Sequence, residues 1–310
     1  MNKKRKNLSN RKNRVKNKIT TSFRDEFIEH QGATVTYIVL RALIILVLIS
    51  SILNKKYENT LLCILALIQF SLPTIIEKHL HITIPSTLEI IVLVFIFAAF
   101  ILGEIAEFYV YITGWDTILH TTNGFLCGAI GLSLFDLLND TEKIEFKLSP
   151  FYLVLCAFCF SMTVGILWEF FEFSQDMFWG KDMQKDTIIH TINSVALLPG
   201  GAITSINNIH HVVIDGVPLK IDGYLDIGLI DTMKDLFVNF IGAVVFSVYG
   251  YFYEKAKGQK NTWVEKLMPT QMDEQRIKEL NELKKEKERL KQINDEKKKR
   301  RNKYKNKQRH

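Results

Sequence analysis

Four short stretches hold the residues able to do polar chemistry in this chain: Glu104 and Glu107; Asp116, His120 and Asn123; Glu169, Glu172 and Asp176; and Asp231, Lys234, Asp235 and Asn239. Within each of the last three, Lys234 aside, the spacing is three or four residues, so on a helix each set forms a polar stripe along one face. Eight carboxylates against one His and one Lys would repel one another in a common cleft. A bound cation, shared protons or wide exposure to water must compensate. The carboxylate excess suits a hard or borderline divalent ion such as Mg²⁺, Mn²⁺ or Ca²⁺, and a lone histidine argues against a structural zinc site. Asp116, His120, Glu169, Glu172 and Asp235 are the candidate ligands. Glu104 and Asn239 complete the polar cluster, and His120 and Glu169 are the candidate catalytic bases. No H-E-x-x-H, P-loop or G-x-S-x-G string is present, so no nucleophile and no substrate can be named.

The elements that must position these residues are membrane spans. Apolar segments at about 34–53, 60–77, 88–110, 115–138, 150–173 and 232–253 are long enough to cross a bilayer. Pro73 and Glu77 make the second the weakest, and a tilted or partly re-entrant segment would also fit there. Of the 40 Lys and Arg residues, 10 fall in residues 1–33 and 20 in residues 254–310, and the 220 residues between are net acidic. Basic ends around an apolar middle exclude an ordinary soluble enzyme. They predict a multi-pass protein of the cytoplasmic membrane with both termini cytoplasmic. The fold class is therefore all-α polytopic, with a basic tail at 1–33, a six-helix domain at 34–253 and a charged helical tail at 254–310. The long connection 174–231 then lies outside, and all four polar stretches fall at the outer level.

A charge at mid-span costs about 2.5–3.5 kcal/mol on insertion scales, so the stripes should face one another or a wet cavity. The competing reading makes them wet helix ends, with Trp115, Trp168 and Trp179 as interfacial aromatics; it applies most to Glu107, Asp176 and Asp231. In the outer connection, HHVVIDGVPLKIDG alternates around Asp215-Gly216 and predicts a β-hairpin. Gly124, Gly128 and Gly131 form a small-residue face for close helix packing. The four cysteines lie in apolar stretches, which implies no disulfide framework. In the C-terminal tail Ile277, Leu280, Leu283, Leu290 and Ile293 fit a solvated helix, with spacing too broken for a firm coiled-coil seam. The tails favour contact with anionic lipid over nucleic acid.

WDTILHTTNG, WEFFEFSQDMFWGKDMQ and GYLDIGLIDTMKDLFVNFIGA resemble the signature blocks of the YjdF-like bacterial integral membrane proteins. More distantly, the chain resembles the VanZ-like proteins, although Glu-x-x-Glu stands at 169–172 where that pattern favours Glu-x-x-Gln. The resemblance spans about residues 85–253 and leaves out the first two spans, the hairpin and both tails. It implies a bacterial membrane protein without an established activity and maps the polar positions onto Asp116, His120, Glu169, Glu172, Asp235 and Asn239. Three functions compete: an outer-facing cation site acting on an envelope or lipid-linked substrate, a proton- or cation-coupled transporter, and a scaffold whose C-terminal tail binds a partner. The sequence leaves the oligomeric state open.

Overall fold

The computed structural model describes residues 31–139, 147–197, 201–256 and 266–282, together with 284, 285, 288 and 291. The KKRK run at 3–6 and the KKKRR run at 297–301, the most basic parts of the two tails, lie outside the described residues, as do Leu283, Leu290 and Ile293.

Six helical stretches are long and apolar enough to cross a membrane, and the protein is an all-α polytopic membrane protein with small strand pairs. The first is α1 (Gln31–Leu53). The second is broken into α2 (Tyr57–Gln69) and α3 (Leu72–Leu80). Pro73 sits in the first turn of α3, where its missing N–H costs nothing, and the two pieces together still give a span over Tyr57–His79. The third is α4 (Ser86–Phe97), which continues as a π-helix over Ala98–Ile105. A short α5 (Phe108–Tyr111) precedes α6 (Trp115–Asn139), α7 (Pro150–Trp179) and α8 (Leu229–Lys255).

Three boundaries differ from the sequence expectation. The third span stops at Ile105 rather than 110, because Glu107 takes a left-handed conformation (φ 59°) that no α-helix continues through. α7 runs on to Trp179, past its apolar part, and ends where Gly180 adopts φ 61° and donates its N–H to the Asp176 carbonyl. α8 starts at Leu229, so the connection between α7 and α8 is shorter than 174–231.

The chain divides into two compact units: residues 1–101 with 266–310, and residues 102–265. In the first, α1 packs on α2 and α4. Val39, Leu46, Ile49 and Ile52 of α1 remain exposed, a surface suited to lipid rather than water. At one end, β1 (Ile82–Thr83) pairs antiparallel with β8 (Thr270–Gln271), and Leu267 and Met268 are buried beside them.

In the second unit α6, α7 and α8 pack mutually, and α6 is the most enclosed, with 56% of its most apolar window buried against 28% for each partner. The connection carries the expected hairpin, β5 (Val213–Ile214) with β6 (Val217–Pro218), turning through Asp215 at φ 48° and Gly216 at φ 81°. Two further pairs were not foreseen: β2 (Ile188–Ile189) with β7 (Tyr224–Leu225), and β3 (Thr191–Ser194) with β4 (Thr204–Asn207). Strands of two to four residues are too short to leave a period in the sequence.

Asp226 ties this insertion to α8, accepting hydrogen bonds from the Thr187 N–H (2.6 Å) and the Ile230 N–H (2.7 Å). Desolvation pushes its carboxyl up, but the N–H groups of Thr187, Ile230 and Gly228 outweigh it and hold the group below the usual carboxylate range. Asp226→Ala is expected to destabilise the fold by about 1–2 kcal/mol, as loss of a helix cap does. Because the folded pKa is depressed, this contribution is complete above the ordinary value of about 3.9 and lost as pH falls through the folded value. Melting curves of wild type and variant in detergent should therefore converge at strongly acid pH; a gap that persists there would sink the assignment.

Candidate functional site

Helix α6 meets α8 where neither has a side chain in the way. A Cβ on Gly124 would lie 2.1 Å from the Asn239 carbonyl oxygen, and one on Gly242 would lie 2.1 Å from the Thr121 carbonyl oxygen. The two backbones thus touch reciprocally, in the manner of small-residue crossings in membranes. α7 joins through Ser161, whose hydroxyl donates to the Gly124 carbonyl at 2.7 Å, and through Gly165, which leaves room for the Asn239 amide. Asn239 is fully buried, accepts from Asn123 Nδ2 at 3.1 Å and turns its own amide nitrogen to Met162 Sδ at 3.7 Å. It is a pin at the crossing, one helical turn deeper than the charged residues.

One turn above, the three stripes converge on His120. Its Nε2 lies 3.4 Å from Asp116 Oδ1 on the same helix and 3.9 Å from Asp235 Oδ2 on α8, and its Nδ1 lies 3.8 Å from Glu169 Oε1 on α7. Asp116, His120 and Asp235 bring ligand atoms within 4.8 Å of one another, and so do His120, Glu169 and Glu172. His120, Glu169, Glu172 and Asp235 are buried. Glu172 Oε1 accepts from Trp168 Nε1 at 2.7 Å. Both oxygens of Glu169 and Oδ1 of Asp235 are buried with no hydrogen bond of normal geometry. The Thr232 hydroxyl accepts from the Gln184 side chain and lies beside Glu169, towards which its own proton can turn.

The other acids have different work. Asp176 accepts from the backbone N–H groups of Met183 (2.6 Å) and Gln184 (2.8 Å), and Asp231 accepts from the Lys185 N–H at 2.8 Å. Together with Asp226 they clamp residues 183–187 over the ends of α7 and α8. Sequence spacing had put Asp231 and Asp235 on one stripe without separating a backbone anchor from a cluster member.

Beside the cluster opens a cavity of about 230 Å³, lined among others by Glu104, Tyr109, Asp116, Glu172, Asp231 and Lys234. Glu104 reaches it from the π-helical segment, and Gly103 next to it has no room for a side chain against the Tyr109 ring. Insertions of this kind concentrate at functional sites. The Trp115 indole N–H, buried without an acceptor, belongs to a residue on the same wall.

The family described as predicted membrane protein (DUF2238) matches residues 35–256, most of the described chain. The chain belongs to this family. A DUF2238 match starting at residue 35 takes in the first two spans and the hairpin, which lie outside the three resembling blocks. The chain is also similar to an uncharacterized protein of Thermotoga maritima, 30% identical over 138 residues, which are 44% of this chain and 69% of that protein. No solved structure matches the chain.

Proposed function

We propose that this DUF2238 protein holds a divalent cation, Mg²⁺, Mn²⁺ or Ca²⁺, through Asp116, His120, Glu169, Glu172 and Asp235 and uses it on an anionic, envelope or lipid-linked substrate entering the adjoining cavity. The observation that carries the reading is the set of buried carboxylate oxygens on Glu169 and Asp235 that make no hydrogen bond of normal geometry and have only His120, at 3.8–3.9 Å, as a cationic neighbour. Buried charges in folded proteins are paired or bind metal, since leaving one bare costs several kcal/mol or about that. The spacing supports an ion in either of two sets that share His120, Asp116/His120/Asp235 at its Nε2 side or His120/Glu169/Glu172, with Glu169 at its Nδ1. Ligands about 2.1–2.5 Å from one ion stand roughly 3–5 Å from each other, and the separations here run from 3.4 to 3.9 Å within sets that close inside 4.8 Å. The cation would polarise the substrate and stabilise developing negative charge. The proposed base is Glu169 when the ion sits in the Asp116/His120/Asp235 set, or otherwise the His120 nitrogen that does not ligate the ion, and the exposed Lys234 and the Trp115 N–H offer donors to an anion at the cavity.

A through-path for ions is disfavoured by the layer beneath: Asn239 is fully buried, and the Gly124/Gly242 contact leaves no gap between α6 and α8.

The deciding experiment is elemental analysis of detergent-purified protein after dialysis with each metal. Wild type should carry one equivalent that Glu169→Gln/Asp235→Asn lacks. Folded wild type without bound metal under every condition would leave shared protons as the compensation and end the proposal.

Sidedness is part of the same reading. The basic tails support placing both termini in the cytoplasm and the cluster with its strand-bearing insertion outside. A cysteine at exposed Ser205 should react with a membrane-impermeant maleimide on intact cells; reaction only after permeabilisation would invert the topology.

A further inference from the structure

The insertion between α7 and α8 brings three separate segments together around two imidazoles. His190 follows β2, and its backbone carbonyl accepts from the Ile209 N–H at 3.0 Å while its Nδ1 meets the Ile209 carbonyl at 2.8 Å. His210, next in the chain, places its Nδ1 2.8 Å from Asp222 Oδ1, just before β7. The two rings lie next to each other at a tilt of 42°, with centroids 5.2 Å apart, and both histidines are exposed.

The partners fix the chemistry. A carbonyl and a carboxylate only accept, so in each neutral imidazole the proton sits on Nδ1 and the lone pair on Nε2. A carbonyl or carboxylate behind the distal nitrogen is the usual support of a metal-bound histidine, where it sets the tautomer and raises ligand basicity. The ring spacing agrees. With metal–nitrogen distances near 2.1 Å, each ring centroid stands about 3.2 Å from the ion, so the two centroids stand about 5.2 Å apart at the tetrahedral angle of zinc and about 4.5 Å apart at the right angle of tetragonal copper, a change that two exposed side chains can follow.

We propose that His190 and His210 form a second, surface ion site on this insertion, selective for an imidazole-preferring borderline cation of the Cu²⁺ or Zn²⁺ class, with Asp222 and the Ile209 carbonyl as its outer support. Water completes the coordination, since both rings face solvent. This site is independent of the buried cluster: its donors are nitrogens rather than carboxylates, and imidazole suits copper and zinc where carboxylates suit magnesium, manganese and calcium.

The test uses the full-length protein in detergent with Cu²⁺ as the probe, read by electron paramagnetic resonance. Wild type should show one copper bound by two imidazole nitrogens, resolved as nitrogen hyperfine splitting. The signal should survive His120→Gln, which removes the only histidine of the buried cluster. His190→Gln/His210→Gln should abolish it and weaken binding at least about 100-fold, and Asp222→Asn, which keeps both ligands, should weaken it about 10-fold or more. Single His210→Gln serves if the double variant does not fold, with loss of one nitrogen expected. A two-nitrogen signal absent from folded wild type, or one that persists in the His190/His210 variants, would overturn the site.

Discussion

Replacing Asp235 by Asn should remove the proposed divalent ion while leaving a folded protein, whereas the same change at Asp231 should keep the ion and loosen the insertion. The two residues are one helical turn apart on α8 and chemically identical, yet their surroundings differ. Asp235 is 1% exposed, with Oδ1 unsatisfied and Oδ2 3.9 Å from His120 Nε2. Asp231 accepts from the Lys185 backbone N–H at 2.8 Å. Asparagine at 235 keeps the volume and takes away the charge, so an empty protein loses little. It relieves the crowding of Asp235 against Asp116. Metal affinity should fall by about 100-fold or more, beyond the 10–100-fold typical of losing only an outer partner. Isothermal titration with Mn²⁺ on wild type, Asp235→Asn and Asp231→Asn would read both. If the two variants bound alike, the division of the acids into ligands and backbone anchors would be wrong. A thermal shift in wild type on adding Mn²⁺, missing in Asp235→Asn, would report the same linkage through stability.

Much of this arrangement was legible in the sequence because period-four polar stripes in apolar helices have few places to go. Asp116/His120, Glu169/Glu172 and Asp235 were expected on facing stripes at one level, and α6, α7 and α8 bring them together. The hairpin at Asp215-Gly216 was legible for a comparable reason, since that dipeptide suits the positive φ angles of the turn. What escaped depends on a partner's position. Gly242 and Gly165 are as important as Gly124, but a missing Cβ means nothing until a neighbouring backbone or the Asn239 amide occupies its space. For Asp176 and Asp231 the sequence offers only a wet helix end as the alternative to a cluster role, and it does not single out Asp226 at all, because their partners are backbone N–H groups in a loop whose path no periodicity encodes. The π-helical end of the third span was read as ordinary helix through residue 110; its hydropathy is that of any span, and only the chain's turn at Glu107 reveals the change.

Alanine at Gly124 or at Gly242 should be far more damaging than a one-carbon change suggests. Each added Cβ would sit 2.1 Å from a backbone oxygen, and a backbone atom on a packed helix cannot swing aside as a side-chain tip can. The helices must separate by about an ångström or more, giving up the close packing that holds them in lipid and costing about 1–3 kcal/mol or more each, the range for overpacked cores. Gly32→Ala is the control: its Cβ would meet only Ile90 Cδ1 at an ordinary 3.6 Å, and a helical Ala is favoured over Gly by roughly 1 kcal/mol. Thermal unfolding in detergent, followed by size-exclusion fluorescence, should show large losses for Gly124→Ala and Gly242→Ala and none for Gly32→Ala. Ion binding supplies a second readout. Pushing α8 off α6 moves Asp235 away from His120 but leaves every proposed ligand in the chain, so whatever protein still folds should bind Mn²⁺ more weakly than wild type. Unchanged stability and unchanged binding together would mean that the reciprocal glycine contact does not set the distance between the helices, and the geometry of the cluster would need another cause.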